Sequence, residues 1–119
     1  MIIVDDLLEV AKALAKNSDE ANLRSSVSRA YYAAFHEASQ YAHKKHGYTR
    51  PRNQSAHSSL ARHLIDCKKD EVRQAGISLQ NLHIARKLAD YDLNDDLNEN
   101  DAKLHVMMAE TLIMGFRKG

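Results

Sequence analysis

The chain contains no tryptophan, one proline and four glycines. That is too little turn chemistry to punctuate the many short strands of a β-sandwich or barrel, and it leaves helix as the dominant element. With one cysteine, Cys67, no internal disulfide can form, and no charged segment followed by an apolar one opens the chain; both features suit a reducing cytoplasm. No apolar run approaches the roughly 18 residues that would indicate a membrane span. An excess of one charge is also missing. Seventeen Lys and Arg face sixteen Asp and Glu, so nothing draws the whole molecule toward nucleic acid or membrane, and any electrostatic argument must be local. There is no glycine-rich phosphate loop, nucleophile elbow or HExxH, so several common enzyme classes lack support and no cofactor is implied.

What is present is helical periodicity over a length, 119 residues, that fits one domain spanning 1–119. Val4, Leu7, Leu8, Ala11, Leu14 and Ala15 follow the spacing of one helical face, ending near Asn17. Ser18 can cap a second, longest helix, with Asp19 and Glu20 in its first turn and its end near His46, before Gly47. Its face of Val27, Ala30, Tyr31, Ala34, Ala38 and Tyr41 is rich in small residues, which lets a neighbour approach closely. The segment 47–55 reads as a loop. Ser55 starts a shorter helix with Leu60, Leu64 and Ile65 as apolar contacts. From about Glu71 a further helix carries two apolar stripes, Leu82 with Ala75, Ala85 and Ala89, and Ile77 with Ile84 and Leu88, so it is expected to pack on two sides. A last helix places Leu104, Met107, Met108, Thr111 and Leu112 at core spacing. Short connections between such helices imply an all-α, up-and-down bundle of about four or five antiparallel helices.

Three groups of residues can carry chemistry. On the second helix Arg29, Tyr32 and His36 stand at i, i+3 and i+7, and Arg29 and His36 differ by only about 20° in direction. An imidazole can give or take a proton near neutral pH and a guanidinium can brace a phosphate, so the stripe holds the minimum needed for phosphodiester chemistry. The same spacing is also that of an ordinary polar face. His83, Arg86 and Asp90 repeat the arrangement, with Arg86 and Asp90 placed for an intrahelical ion pair and Tyr91 next to them, its ring able to cover the core.

Between Glu37 and Asp66 there is no acidic residue, while Lys44, Lys45, Arg50, Arg52 and Arg62 alternate with His43, His46, His57 and His63, and with Tyr41 and Tyr48. Such a stretch can follow a nucleic-acid backbone and stack a base. From Asp90 to Asp101 the bias reverses, and the two patches can equally pair with each other across a subunit contact. His43 with His46, and His63 with Cys67, have ligand spacing but form no familiar zinc motif, so no metal site is assigned.

The run Ser28-Arg29-Ala30-Tyr31-Tyr32-Ala33-Ala34-Phe35-His36, then His57 opening the third helix, then Arg86-Lys87-Leu88-Ala89-Asp90-Tyr91-Asp92, resembles HEPN-domain proteins over nearly the whole chain. The resemblance implies a helical bundle that commonly dimerises, works on RNA or nucleotides, and in many relatives serves as a toxin or defence ribonuclease paired with a small nucleotidyltransferase-like antitoxin. Active members carry an Arg, an adjacent polar residue and a His after four to six others. Here Arg29 and His36 enclose six, and the adjacent residue is Ala30. On this basis Arg29, His36 and Tyr32 are the catalytic candidates, Lys44, Lys45, Arg50, Arg52, His57 and Arg62 the RNA or phosphate contacts, and Arg86, Asp90 and Tyr91 a structural cluster. The expected activity is metal-independent RNA cleavage. The alternatives are a catalytically silent interaction module and a nucleotide-binding regulator.

Overall fold

A computed structural model describes residues 2–17, 19–52, 55–94 and 96–119, which build five α-helices and no strand. These are α1 (Val4–Ala15), α2 (Glu20–His46), α3 (Ala56–Ile65), α4 (Asp70–Tyr91) and α5 (Glu99–Lys118). The all-helical bundle read from the periodicity is the fold. None of the helices is long and apolar enough to cross a membrane.

The ends of the helices follow local chemistry. Asp19 caps α2, its carboxylate accepting from the Ala21 amide at 3.1 Å; the Ser18 proposed for that role lies outside the described residues. Gly47 closes α2 in the left-handed region at φ 66°, and the amides of Gly47 and Tyr48 reach back to the carbonyls of His43 and Ala42. Asn98 and Asp101 cap α5 reciprocally, each side chain accepting from the other's amide at 2.9 and 3.2 Å.

α2 runs through the centre and touches every other helix. Ser26 on α2 bonds the Ala11 carbonyl of α1 at 2.7 Å, and Arg117 on α5 joins Asp5 and Glu37, so α1 and α2 run in opposite directions. Arg24 lies at the far end of α4 while Tyr31 lies beside His83, which makes α2 and α4 antiparallel. α5 opposes α1, with Lys12 on Glu110 and Asp5 on Arg117, and therefore runs alongside α2 in the same direction. Consecutive long helices alternate, as an up-and-down bundle requires.

Close approach to α2 is possible because Ala30, Ala33, Ala34, Ala38 and Ala42 are fully buried. α5 answers with Ala102 and Ala109, flanked by Val106, Ile113 and Phe116. Leu112 is buried and Met108 packs against the core as their spacing predicts, but the rest of the face expected for α5 is corrected. Leu104 and Met107 point to solvent at 53% and 62% exposure, because the small residues, not the largest ones, decide which side can reach an alanine-lined neighbour. α4 needs a similar correction: Leu82 and Ala89 are buried, but Ile77, Ile84 and Leu88 are 37%, 52% and 45% exposed, so its second stripe is not part of the core among the described residues.

Among the described side chains the one buried polar residue is Ser26, whose hydroxyl closes the α1–α2 seam. Ser26→Ala is expected to lower unfolding free energy by about 1 kcal/mol, the typical net worth of such a hydrogen bond, as measured by urea denaturation.

Candidate functional site

Side chains from three helices converge where the middle of α2, the first turn of α3 and the second half of α4 meet. Tyr31 comes from α2, fully buried, and its hydroxyl lies 2.6 Å from Nδ1 of His57 on α3. His57 stacks on His83 of α4 with ring centroids 4.9 Å apart and planes 13° from parallel. Phe35 packs 4.7 Å from His57, and the exposed His36 sits at 5.4 Å from Phe35. Arg86 places its guanidinium 5.2 Å from the Tyr32 ring and 5.8 Å from that of Tyr91, distances at which a cation is attracted by an aromatic face.

The α2–α4 register that makes this possible is held by Arg24. Its guanidinium donates to the carbonyls of Ala89 and Asp92, each at 2.9 Å, and to Leu88 at 3.4 Å, capping the last turn of α4 with a positive group where the helix dipole favours one. Glu20 lies 3.7 Å from Arg24 and accepts from the Leu97 amide, extending the tie into the loop before α5.

Protonation follows from this packing. Tyr31 keeps its proton well above the ordinary phenol range, chiefly through burial and secondarily through Tyr32, so its hydroxyl is the donor to His57. Burial also lowers His57, assisted by Arg86, Arg50, Lys87 and His36. His83 is pushed down to about 4, by burial first and then by His57, Lys87 and Arg86. Both imidazoles therefore favour the neutral form at physiological pH, and the permanently charged neighbours that act on them, Arg86 and Lys87 and, for His57, Arg50, are cationic.

The residues singled out from sequence fall into three positions. Arg29 and His36 are both exposed on α2, and Arg29 makes no ion pair, hydrogen bond or cation–π contact among the described residues. The guanidinium over Tyr32 belongs to Arg86 instead. Lys44, Lys45, Arg50, Arg52 and Arg62 are exposed, and of these only Arg62 has a carboxylate nearby among the described residues, Asp66 at 3.7 Å. Arg86 and Asp90 form the expected pair at 2.9 Å, although the Arg86 Nε–H is not aligned for a hydrogen bond; Ser28 approaches the same carboxylate at 3.5 Å. Tyr91 is 73% exposed and does not cover the core, because α4 ends there with that side turned outward.

Tyr31 and Phe35 were not singled out as chemical candidates, and His83, drawn out with Arg86 and Asp90, was given no role. Tyr31 reads as core from its spacing, and His83 reads as a polar face. What identifies them is their convergence with His57 from three separate helices, which no single helix pattern contains. Of the pairs with metal-ligand spacing, His46 and His63 come together with ring centroids 6.0 Å apart, but no third ligand joins them among the described residues. His43 turns Nδ1 to the Tyr48 carbonyl at 3.1 Å, the Cys67 thiol donates to the His63 carbonyl at 3.3 Å, and no group of three or more His, Cys, Asp or Glu placed to hold a metal occurs among the described residues.

Comparison with protein-family models, with curated proteins and with solved structures finds no match to this chain.

Proposed function

We propose that this is a HEPN-like RNA-binding protein that holds the sugar–phosphate backbone across the α2, α3 and α4 face. The observation that carries the reading is the set of cationic side chains at the imidazole pair: Arg86 lies over the Tyr32 ring, partly neutralised by Asp90, and Arg62 lines a cleft together with His57 and His83. Lys44, Lys45, Arg52 and Arg62 are exposed cations that a longer backbone could reach, and the partly exposed rings of Tyr32 and Phe35 offer surfaces on which bases can stack.

A second reading, metal-independent cleavage, is favoured by the exposure of Arg29 and His36 on the same helix as Tyr32. In that reaction the ribose 2′-oxygen attacks the adjacent phosphorus and loses its proton, the 5′-oxygen leaves and gains one, and a 2′,3′-cyclic phosphate remains. His36 would move the proton and Arg29 would stabilise the additional negative charge on phosphorus. A second copy of the chain would supply the second His36. We place the dimer contact on the open stripe of α4, where Ile77, Ile84 and Leu88 lie in line with Tyr91. A nucleotidyltransferase-like antitoxin, the partner implied by the HEPN resemblance, would compete for the same stripe.

Fluorescence anisotropy with single-stranded RNA between 50 and 200 mM salt tests binding. Affinity should fall linearly on a log–log plot, and Arg50→Ala with Arg52→Ala should weaken binding several-fold and make the slope shallower by about 0.7 for each phosphate left without its cation. Absence of binding, or binding indifferent to salt, removes the RNA reading. Incubation of the wild type, Arg29→Ala and His36→Ala with mixed RNA in excess EDTA tests cleavage. Loss of activity in both folded variants supports the assignment, and an inactive wild type leaves binding alone. Light scattering on Ile84→Glu with Leu88→Glu should show a dimer becoming a monomer; a wild type that is already monomeric rejects the placement.

A further inference from the structure

Behind the stacked imidazoles, between α3 and α4, lies a cleft of about 260 Å³ lined by His57, Ser58, Arg62, Gln80 and His83 among others. It is smaller than the roughly 300–1,000 Å³ of sites that enclose whole drug-sized ligands, so it suits a single group of a larger molecule. Its polar lining consists of potential donors: two imidazoles, serine hydroxyls, an amide and a guanidinium. Among the described residues no carboxylate lines it.

The tautomers of the two rings follow from their inner nitrogens. The Tyr31 hydroxyl is buried with its side chain and has Nδ1 of His57 as its hydrogen-bond partner at 2.6 Å. Donation by Tyr31 leaves the His57 proton on Nε2. Nδ1 of His83 is buried without a partner. A buried N–H without an acceptor is rarer than a bare acceptor, so the proton of His83 also belongs on Nε2. Neither Nε2 is buried without a partner. The cleft thus receives two neutral N–H donors held side by side by ring stacking.

We propose that the cleft between α3 and α4 is a phosphate subsite, in which Nε2–H of His57 and of His83, with Arg62 and Gln80, hold the oxygens of one phosphate group. This rests on the RNA-binding reading for the identity of the larger ligand and not for the chemistry of the site. Neutral donors bind the anion without taking up a proton, and Tyr31 acts as a positioning residue that fixes which nitrogen of His57 faces it.

Long-range ¹H–¹⁵N spectra of the histidine rings test this, because ring nitrogen shifts report tautomer and protonation directly. At pH 7.5 both His57 and His83 should show the neutral Nε2–H form, and titration with inorganic phosphate should shift both rings saturably. Arg62→Ala and Gln80→Leu should each weaken that titration several-fold while leaving the tautomers unchanged, and Tyr31→Phe should mix the His57 tautomers. An Nδ1–H form for either ring in the wild type, or rings unmoved by phosphate, overturns the proposal. So does a titration unaffected by both lining substitutions.

Short RNAs bearing a 5′-phosphate or a 5′-hydroxyl identify the source. Equal shifts assign the site to the internal backbone, and shifts with the 5′-phosphate alone assign it to a chain end. Phosphate that binds where no RNA does preserves the subsite and removes the RNA reading. RNA that binds without moving either ring does the reverse.

Discussion

Gly76→Leu should destabilise the protein by about 3 kcal/mol, the upper end of the usual range for overpacking, and lower the thermal midpoint by roughly 10 °C. The reason lies in how α3 meets α4. A Cβ built on Gly76 falls 2.8 Å from the Ile65 backbone nitrogen and 2.8 Å from the Leu64 Cβ, closer than such atoms come in real proteins. The obstacle includes backbone, so rotation of a side chain cannot relieve it. α3 must move away from α4, and Leu64, fully buried in that seam, moves with it. Because α3 carries His57 and α4 carries His83, the separation should also unstack the imidazole pair. Differential scanning calorimetry gives the stability, and the histidine ring spectra give the site. A midpoint within a degree of wild type would show that the helices tolerate a wider spacing.

Acid is expected to weaken the fold through the same pair. In the unfolded chain His57 and His83 titrate near 6.5, whereas in the folded protein both bind protons less readily, His83 only at about 4. Between those values the unfolded state holds more protons, so stability rises with pH. The contribution is fully present above about pH 6.5 and is lost as the pH falls toward 4. For His83 the loss is about 2 kcal/mol after allowing for solvent access to Nε2. The structural cause is the company these rings keep. Tyr31 stays neutral, Arg86 and Lys87 are positive, and each imidazole that gains a proton repels the other. Urea denaturation at pH 7.5 and 4.5 should show a smaller drop for His83→Gln than for the wild type. Equal drops in the two proteins would mean that His83 is not the group responsible.

Much of the architecture was legible in the sequence, because each helix announces itself by the spacing of its apolar residues and by its ends. Gly47 after the histidines of α2 and Ser55 before α3 mark boundaries that the structure places within about a residue. The orientation of α5 was legible only in part, through Leu112 and Met108. Counting large apolar side chains selects Leu104 and Met107, but the helix turns Ala102 and Ala109 inward because α2 presents its own alanines there, a constraint written in another segment of the chain. The outer stripe of α4 misleads for a related reason. Ile77, Ile84 and Leu88 have the spacing of a buried face, and periodicity does not say whether the neighbour belongs to the same polypeptide.

Of the side chains gathered where α2, α3 and α4 meet, part was drawn out by the sequence. His57, Tyr32, Arg86 and Asp90 were all drawn out by residue type and spacing, and the Arg86–Asp90 pair follows from i, i+4 placement alone. The partner of the Tyr32 ring was not foreseen. Arg29 is near Tyr32 along the same helix, yet the cation over that ring comes from Arg86, on a different helix far along the chain. Contacts of this kind depend on the α2–α4 register, and that register rests on Arg24 capping carbonyls of α4, a role no local pattern reveals.

α4 is a shared wall. One side bears Arg86 and His83 inward to the histidine cluster, and the other bears Ile84 and Leu88 outward. The two surfaces are separated by the width of one helix, about 10 Å. A rigid rod that thin cannot shift on one side without shifting on the other, so displacing Ile84 and Leu88 displaces His83 and Arg86 as well.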